Sequence, residues 1–168
     1  LVVLRGHDSD VTSTAFSHSG NHVVSGSMDE TARVWNLDTG MELMVLRGHR
    51  SHVLDVAFMI DDQRVISASH RRTGTGRWFD IHFWDAKSGE CIRRIENVRD
   101  TTSVSHAAAG YRWLTFTQGY TTAVLCAESL LDCAWFPASL QHVTVSSARW
   151  TWAGSSAEHL LLFRLEGP

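Results

Sequence analysis

The chain has 168 residues, a formal net charge of −3 at pH 7 and 43% hydrophobic residues, with no apolar run long enough to span a bilayer. That balance gives no global attraction to nucleic acid or to membrane surfaces, and the length suffices for one domain with a buried core. Three cysteines, Cys91, Cys126 and Cys133, form no Cys-x-x-Cys pair, which fits reduced thiols in a cytoplasmic or nuclear protein better than a disulfide framework. The chain opens at Leu1 without a leader pattern and reads as an excerpt of something longer.

Taken in order, alternating Val11, Ser13 and Ala15 predict a first strand, Val23–Ser27 a second, Thr31–Trp35 a third and Met41–Leu46 a fourth. Ser19-Gly20-Asn21, Met28-Asp29-Glu30 and Asp38-Thr39-Gly40 supply the turn chemistry between them. The pattern then returns, because Gly48-His49 lies 42 residues after Gly6-His7 and the same shift places Val53 on Val11, Phe58 on Phe16 and Val65 on Val23. In this second copy Val65–Ser69, Asp80–Trp84 and Cys91–Ile95 read as the later strands, with seven extra residues entering the turn after Ser69. A third copy, at a shift of 90 from the first, is worn: Gly110 falls on Gly20 and Thr115 on Ser25, but Leu125 replaces Trp35, Gly119 replaces Asp29 and Asn97 replaces His7. A fourth places Ala134-Trp135 on Ala15-Phe16 and ends in the apolar strand around Phe163; Thr144 follows Thr115 by only 29 residues, so about one strand is missing. Either the third copy lacks its outer strand or the fourth is not a true unit.

A repeat of about 40–45 residues opened by Gly-His and closed by Trp-Asp or Trp-Asn resembles the WD-repeat family, whose unit is a four-stranded propeller blade. The resemblance implies an all-β fold of antiparallel four-stranded blades, in a partial or degenerate propeller of about four blades with two well formed: 6–47, 48–96, a degenerate 97–130 and a degenerate 131–166. Leu1–Leu4 looks like an unattached fourth strand; in the family such a segment commonly completes the last blade. The resemblance also implies a hydrogen-bonded chain of histidine, hydroxyl, aspartate and tryptophan locking each blade. Blade one carries it as His7, Ser25, Asp29 and Trp35; blade two keeps His49, Ser67 and Trp84 but has Arg71 at the aspartate's place, with Asp80 the candidate to fold back. Ser27 and Ser69 share the alternation of the hydroxyl member.

The insertion His70–Asp80 gathers Arg71, Arg72 and Arg77 around a Thr-Gly-Thr-Gly run, with Trp78 and Phe79 beside it. Arginine and tryptophan are enriched at binding hot spots, so these residues are partner-binding candidates. The alternative is a solvated hairpin in which Trp78 and Phe79 merely extend the third strand. A long turn expected in the fourth copy adds Trp150 and Trp152 as candidates on a related turn.

The ten histidines show no metal-ligand spacing, and no carboxylate or cysteine cluster completes a site, so no metal or cofactor is expected. The Ser25, His7 and Asp29 set imitates a catalytic triad in composition only, and the expectation is a non-catalytic interaction scaffold or regulatory module with protein or peptide partners. No membrane, no small-molecule substrate and no nucleic acid is expected. Two alternatives remain: a substrate receptor of a cullin-type ubiquitin ligase, for which Lys87 stands two positions after Trp84-Asp85, and a nucleic-acid-associated propeller using the arginine loop.

Overall fold

The computed structural model describes residues 2–59, 61–73, 76–98 and the strand backbones at 100–101, 113–118, 121–126, 132–137, 141–146, 151–155 and 160–164; side chains are described for 2–59, 61–71 and 78–98. Each described element is a β-strand. The first sheet runs β1 (Val11–Phe16), β2 (His22–Ser27), β3 (Thr31–Asn36) and β4 (Glu42–Arg47), in spatial order β1-β2-β3-β4 with antiparallel neighbours. The second repeats it with β5 (Val53–Phe58), β6 (Arg64–Thr73), β7 (Gly76–Asp85) and β8 (Cys91–Val98). Short turns permit this meander, because antiparallel neighbours need only a few residues to reverse direction.

The two sheets stack face to face. Val24, Ala32, Val34 and Leu46 of the first form one cluster with Val53, Val56, Phe58, Val65 and Trp84 of the second, all at most 2% exposed. Burial of this kind contributes about 25 cal/mol per Å² of apolar surface and is the main force joining the sheets. Gly26 lets them approach: a Cβ there would lie 2.8 Å from Val53 and 2.9 Å from Val56. Polar contacts hold the ends of the stack. Thr12 donates its hydroxyl to the Val53 carbonyl, and Asp62 reaches back to accept the backbone N–H groups of His18 (2.7 Å) and Ser19 (2.8 Å).

The other face of the second sheet carries Ala57, Met59, Ile66, Ala68, Ile81, Phe83, Ile95 and Val98, with Phe79 packed against them. A third sheet follows in the order β12-β11-β10-β9, from β9 (Asp100–Thr101), β10 (Trp113–Gln118), β11 (Thr121–Cys126) and β12 (Asp132–Pro137). This corrects the expected boundary. Asp132–Pro137 was expected to open the fourth copy, yet it pairs with β11, Ala123 opposite Trp135 and Val124 opposite Ala134. The link from Cys126 to Asp132 is of hairpin length, so the nearest free edge for this strand is β11. The third sheet therefore has its outer strand, and the fourth, β13 (Gln141–Ser146), β14 (Thr151–Ser155) and β15 (Leu160–Arg164), has three strands. Val2–Leu4 pairs with no strand, and Leu1 lies outside the described residues.

Candidate functional site

In the first blade, Trp35 donates its indole N–H to Ser25 Oγ at 2.7 Å, and Ser25 Oγ lies 2.7 Å from His7 Nε2. His7 Nδ1 meets Asp29 Oδ2 at 2.8 Å. Because the serine oxygen accepts the indole proton, its own hydrogen is available to Nε2, which makes Nδ1 the protonated nitrogen facing the carboxylate. Asp29 also accepts the Thr31 hydroxyl at 2.6 Å, the Thr31 N–H at 2.9 Å and the Asp8 N–H at 3.1 Å. Burial opposes its charge, but the donors from Thr31, His7 and Asp8 outweigh burial and hold its carboxyl far below the usual range. Ser25, not Ser27, is the hydroxyl member; Ser27 donates to the Ser9 carbonyl and accepts the Asp29 N–H.

The second blade builds the same chain without a carboxylate. Trp84 donates to Ser67 Oγ at 2.7 Å, Ser67 Oγ lies 2.6 Å from His49 Nε2, and His49 Nδ1 lies 2.8 Å from Ser69 Oγ. Ser69 occupies the place expected for Asp80 or Arg71. Asp80 sits opposite Ser69 in the β6–β7 ladder and accepts the Asn97 N–H at 2.9 Å instead. Arg71 donates to Asn97 Oδ1 at 2.8 Å.

Two residues that the sequence did not single out complete the contrast. Arg33, two before Trp35, bonds Glu42 at 2.6 Å and lies 3.6 Å from Asp29 and 3.9 Å from Asp8. His82, two before Trp84, stacks on His49 with ring centroids 3.9 Å apart and planes 10° from parallel. It is 2% exposed and its Nδ1 has no hydrogen-bond partner. Their common spacing from the tryptophan was the available signal. Burial, then the charges of His82 and Arg94, push His49 down to about 3; burial and then Arg94, against an opposing pull from Asp80, push His82 down to about 4. Both rings are neutral at pH 7.

The Ser25–His7–Asp29 distances match those of a nucleophilic triad, but Ser25 is 4% exposed and its oxygen already accepts the Trp35 proton. Buried under the blade and held by the indole and the imidazole, the hydroxyl is not placed to meet a substrate. What it does chemically is satisfy a buried indole and a buried imidazole, each of which would cost about 1–3 kcal/mol unpaired.

The insertion forms a ladder rather than a loop. β6 and β7 are ten residues each, against six in β2 and β3, with His70 opposite Phe79, Arg71 opposite Trp78 and Arg72 opposite Arg77. Phe79 packs on the second-sheet core, Trp78 is half-buried and Arg71 is exposed. The side chains of Arg72 and Arg77, and Trp150 altogether, lie outside the described residues. Trp152 falls within β14 opposite Val145, not in a turn, because the strand resumes at Thr151. Lys87 is exposed in the turn after β7, where Asp85 Oδ1 accepts its N–H at 2.9 Å and that of Ser88 at 2.7 Å.

A family model for the WD domain, G-beta repeat, matches residues 1–36 and 40–85. The chain belongs to the WD-repeat family. Each matched segment ends at the last residue of a third strand, Asn36 or Asp85, and the second segment takes in β4 of the first sheet together with β5, β6 and β7 of the second. THO complex subunit 3 of Arabidopsis thaliana is 28% identical over 119 residues, covering 64% of this chain and 36% of that protein. Anaphase-promoting complex subunit cdc20 of Dictyostelium discoideum is 23% identical over 167 residues, covering 95% of this chain and 33% of that protein. The chain thus spans about a third of the length of these curated WD-repeat relatives. In fold it is similar to the crystal structure of the computationally designed Ika4 protein, with a TM-score of 0.62, 20% identity and coverage of 99% of this chain and 98% of that one.

Proposed function

We propose that this chain is a non-catalytic interaction scaffold and that its specific recognition surface is the extended β6–β7 hairpin. The observation that carries this is the difference in strand length between the blades: the lock of the second blade closes at Ser69, yet the ladder continues to the Thr73–Gly76 pair. Nothing in the lock requires that extension. It presents Arg71 and Trp78 on a paired backbone, which lowers the ordering cost a partner would otherwise meet on binding a loop. That both relatives are named as subunits of complexes supports a partner of protein rather than small-molecule chemistry.

The test is cross-linking and co-precipitation with the wild-type chain, Trp78→Ala, a hairpin shortened by removing residues 72–77, and Lys87→Glu. Binding lost in the first two variants and kept in the third, with unchanged urea midpoints, is the expected result. Binding lost only in Lys87→Glu would favour a ubiquitin-ligase adaptor contact, and retention of RNA that fades steeply with salt would favour the nucleic-acid alternative.

A further inference from the structure

At one end of the stack, the segments leading into β1 and β5 meet the turns that leave β2 and β6, and there the two blades share a backbone frame. The Met28 N–H donates to the Asp10 carbonyl at 2.9 Å, and 42 residues on the His70 N–H donates to the His52 carbonyl at 3.3 Å. The charges on that frame are reversed. Asp8, Asp10 and Glu30 line it in the first blade. In the second, Arg50 and His52 take the places of Asp8 and Asp10, and Arg71 opens the hairpin that replaces the turn of Glu30, with Arg72 and Arg77 further along it. The outer strands carry the minority sign in each blade, Arg47 following Leu46 in β4 and Glu96 following Ile95 in β8. Asp80, beside the hairpin, is half-buried and accepts the Asn97 N–H. Asp8, Asp10, Glu30, Arg50, His52 and Arg71 are all exposed, and among the described residues no ion pair crosses from one group to the other. Arg50 and His52 stay exposed although the first sheet is stacked on theirs, so these positions stand clear of blade-to-blade contact. The two groups are neighbours, because Thr12, two residues after Asp10, donates its hydroxyl to the carbonyl of Val53, next to His52.

We infer that these two blade ends together recognise a segment of a partner protein whose acidic and basic residues are segregated, the acidic part lying along Arg50 and Arg71 and the basic part over Asp8, Asp10 and Glu30. The basic half of this surface rests on the reading of the hairpin given above; the acidic half does not. A nucleic acid is the wrong occupant, because its phosphates would meet the carboxylates with like charge, and a segment of one sign would leave one group facing its own sign. Exposed charge pairs add little affinity singly. What the reversed pattern fixes is which partner is accepted and which way round it lies.

Fluorescence anisotropy with the 168-residue chain tests this. The probe is a labelled peptide of four glutamates, a Gly-Ser-Gly spacer and four lysines, set against a peptide of the same composition in which the two charges alternate. The segregated peptide is expected to bind about tenfold tighter at low salt, a preference that fades towards about 0.15 M as the charges are screened. Asp8→Lys with Asp10→Lys removes the preference, and so does Arg50→Glu with Arg71→Glu. All four substitutions together restore it, because the peptide can then lie the other way round; the four side chains are exposed, so far-ultraviolet spectra and urea midpoints stay unchanged. No preference in the wild type, or one that the fourfold exchange does not restore, would overturn the inference. A peptide of glutamates alone that bound as tightly as the segregated one would overturn it while leaving the hairpin reading intact. A preference that survived Trp78→Ala and removal of residues 72–77 would support it and sink the hairpin reading instead.

Discussion

The first blade holds its histidine with a charge and the second holds its own with a hydroxyl, although the indole, the serine and the imidazole keep the same distances within 0.1 Å. Around His7 stand Asp29, Arg33 and Glu42; at the corresponding places around His49 stand Ser69, His82 and Cys91. A charged network and a neutral one thus serve the same geometry. The difference teaches that the invariant requirement is satisfaction of the Trp N–H and of both imidazole nitrogens, while the second partner of the histidine is free to vary with its surroundings. In the second blade that freedom was used to bury a further ring, and each blade leaves one buried nitrogen unpartnered, Arg33 Nε in the first and His82 Nδ1 in the second.

The largest expected effect attacks what the blades share. Trp84→Ala opens a cavity in the cluster between the sheets and leaves Ser67 Oγ without its indole donor, with an expected loss of about 3–5 kcal/mol in urea unfolding. A Trp35→Ala variant that lost more than Trp84→Ala would show that the locks, not the stacking, dominate stability.

The next effect separates the blades by pH. A carboxyl whose folded pKa is depressed contributes stability above its ordinary pKa and loses it as pH falls, so Asp29→Asn costs about 1–3 kcal/mol at pH 7 and progressively less below pH 4. His49 and His82 respond in a different window. Their folded pKa values lie below the ordinary 6.5, so the unfolded chain binds more protons and stability falls as pH drops from about 6.5 towards 4. His82→Phe should flatten that slope and raise stability at pH 5 by about 1–2 kcal/mol, read from urea midpoints at pH 7 and 5. An unchanged slope would mean that neither ring meets the acid limb.

The smallest effect concerns the seam between the blades. Asp62→Ala removes the acceptor for two backbone N–H groups of the first blade and should cost about 1 kcal/mol, with faster hydrogen exchange at His18 and Ser19 and none at Thr31.

Much of this architecture was legible in the sequence, and the exceptions have physical causes. The strands of both blades follow from alternation in β1 and from the 42-residue period, whereas β2 and β3 each bury five consecutive residues. His7, Ser25, Asp29 and Trp35 were implied by the resemblance to the WD-repeat family and meet in space. Ser69 was overlooked as the carboxylate's replacement because the insertion was treated as a lengthened turn; it lengthens the strands instead, and a strand residue two beyond Ser67 lies on the same face of the sheet. His82 was missed because its partner is a ring stacked from the segment between β4 and β5, and the one signal, its place two residues before Trp84, does not reveal that contact. Asp132–Pro137 was placed one sheet too late, since an apolar strand carries no mark of which edge it will join.

Asp62 gives the molecule a sense of direction in time. The turn after β1 receives its cap from a carboxylate that follows it by 44 residues. As the chain leaves the ribosome, the first blade stays unfinished at that corner until the opening hairpin of the second has emerged, so the two blades mature as a pair.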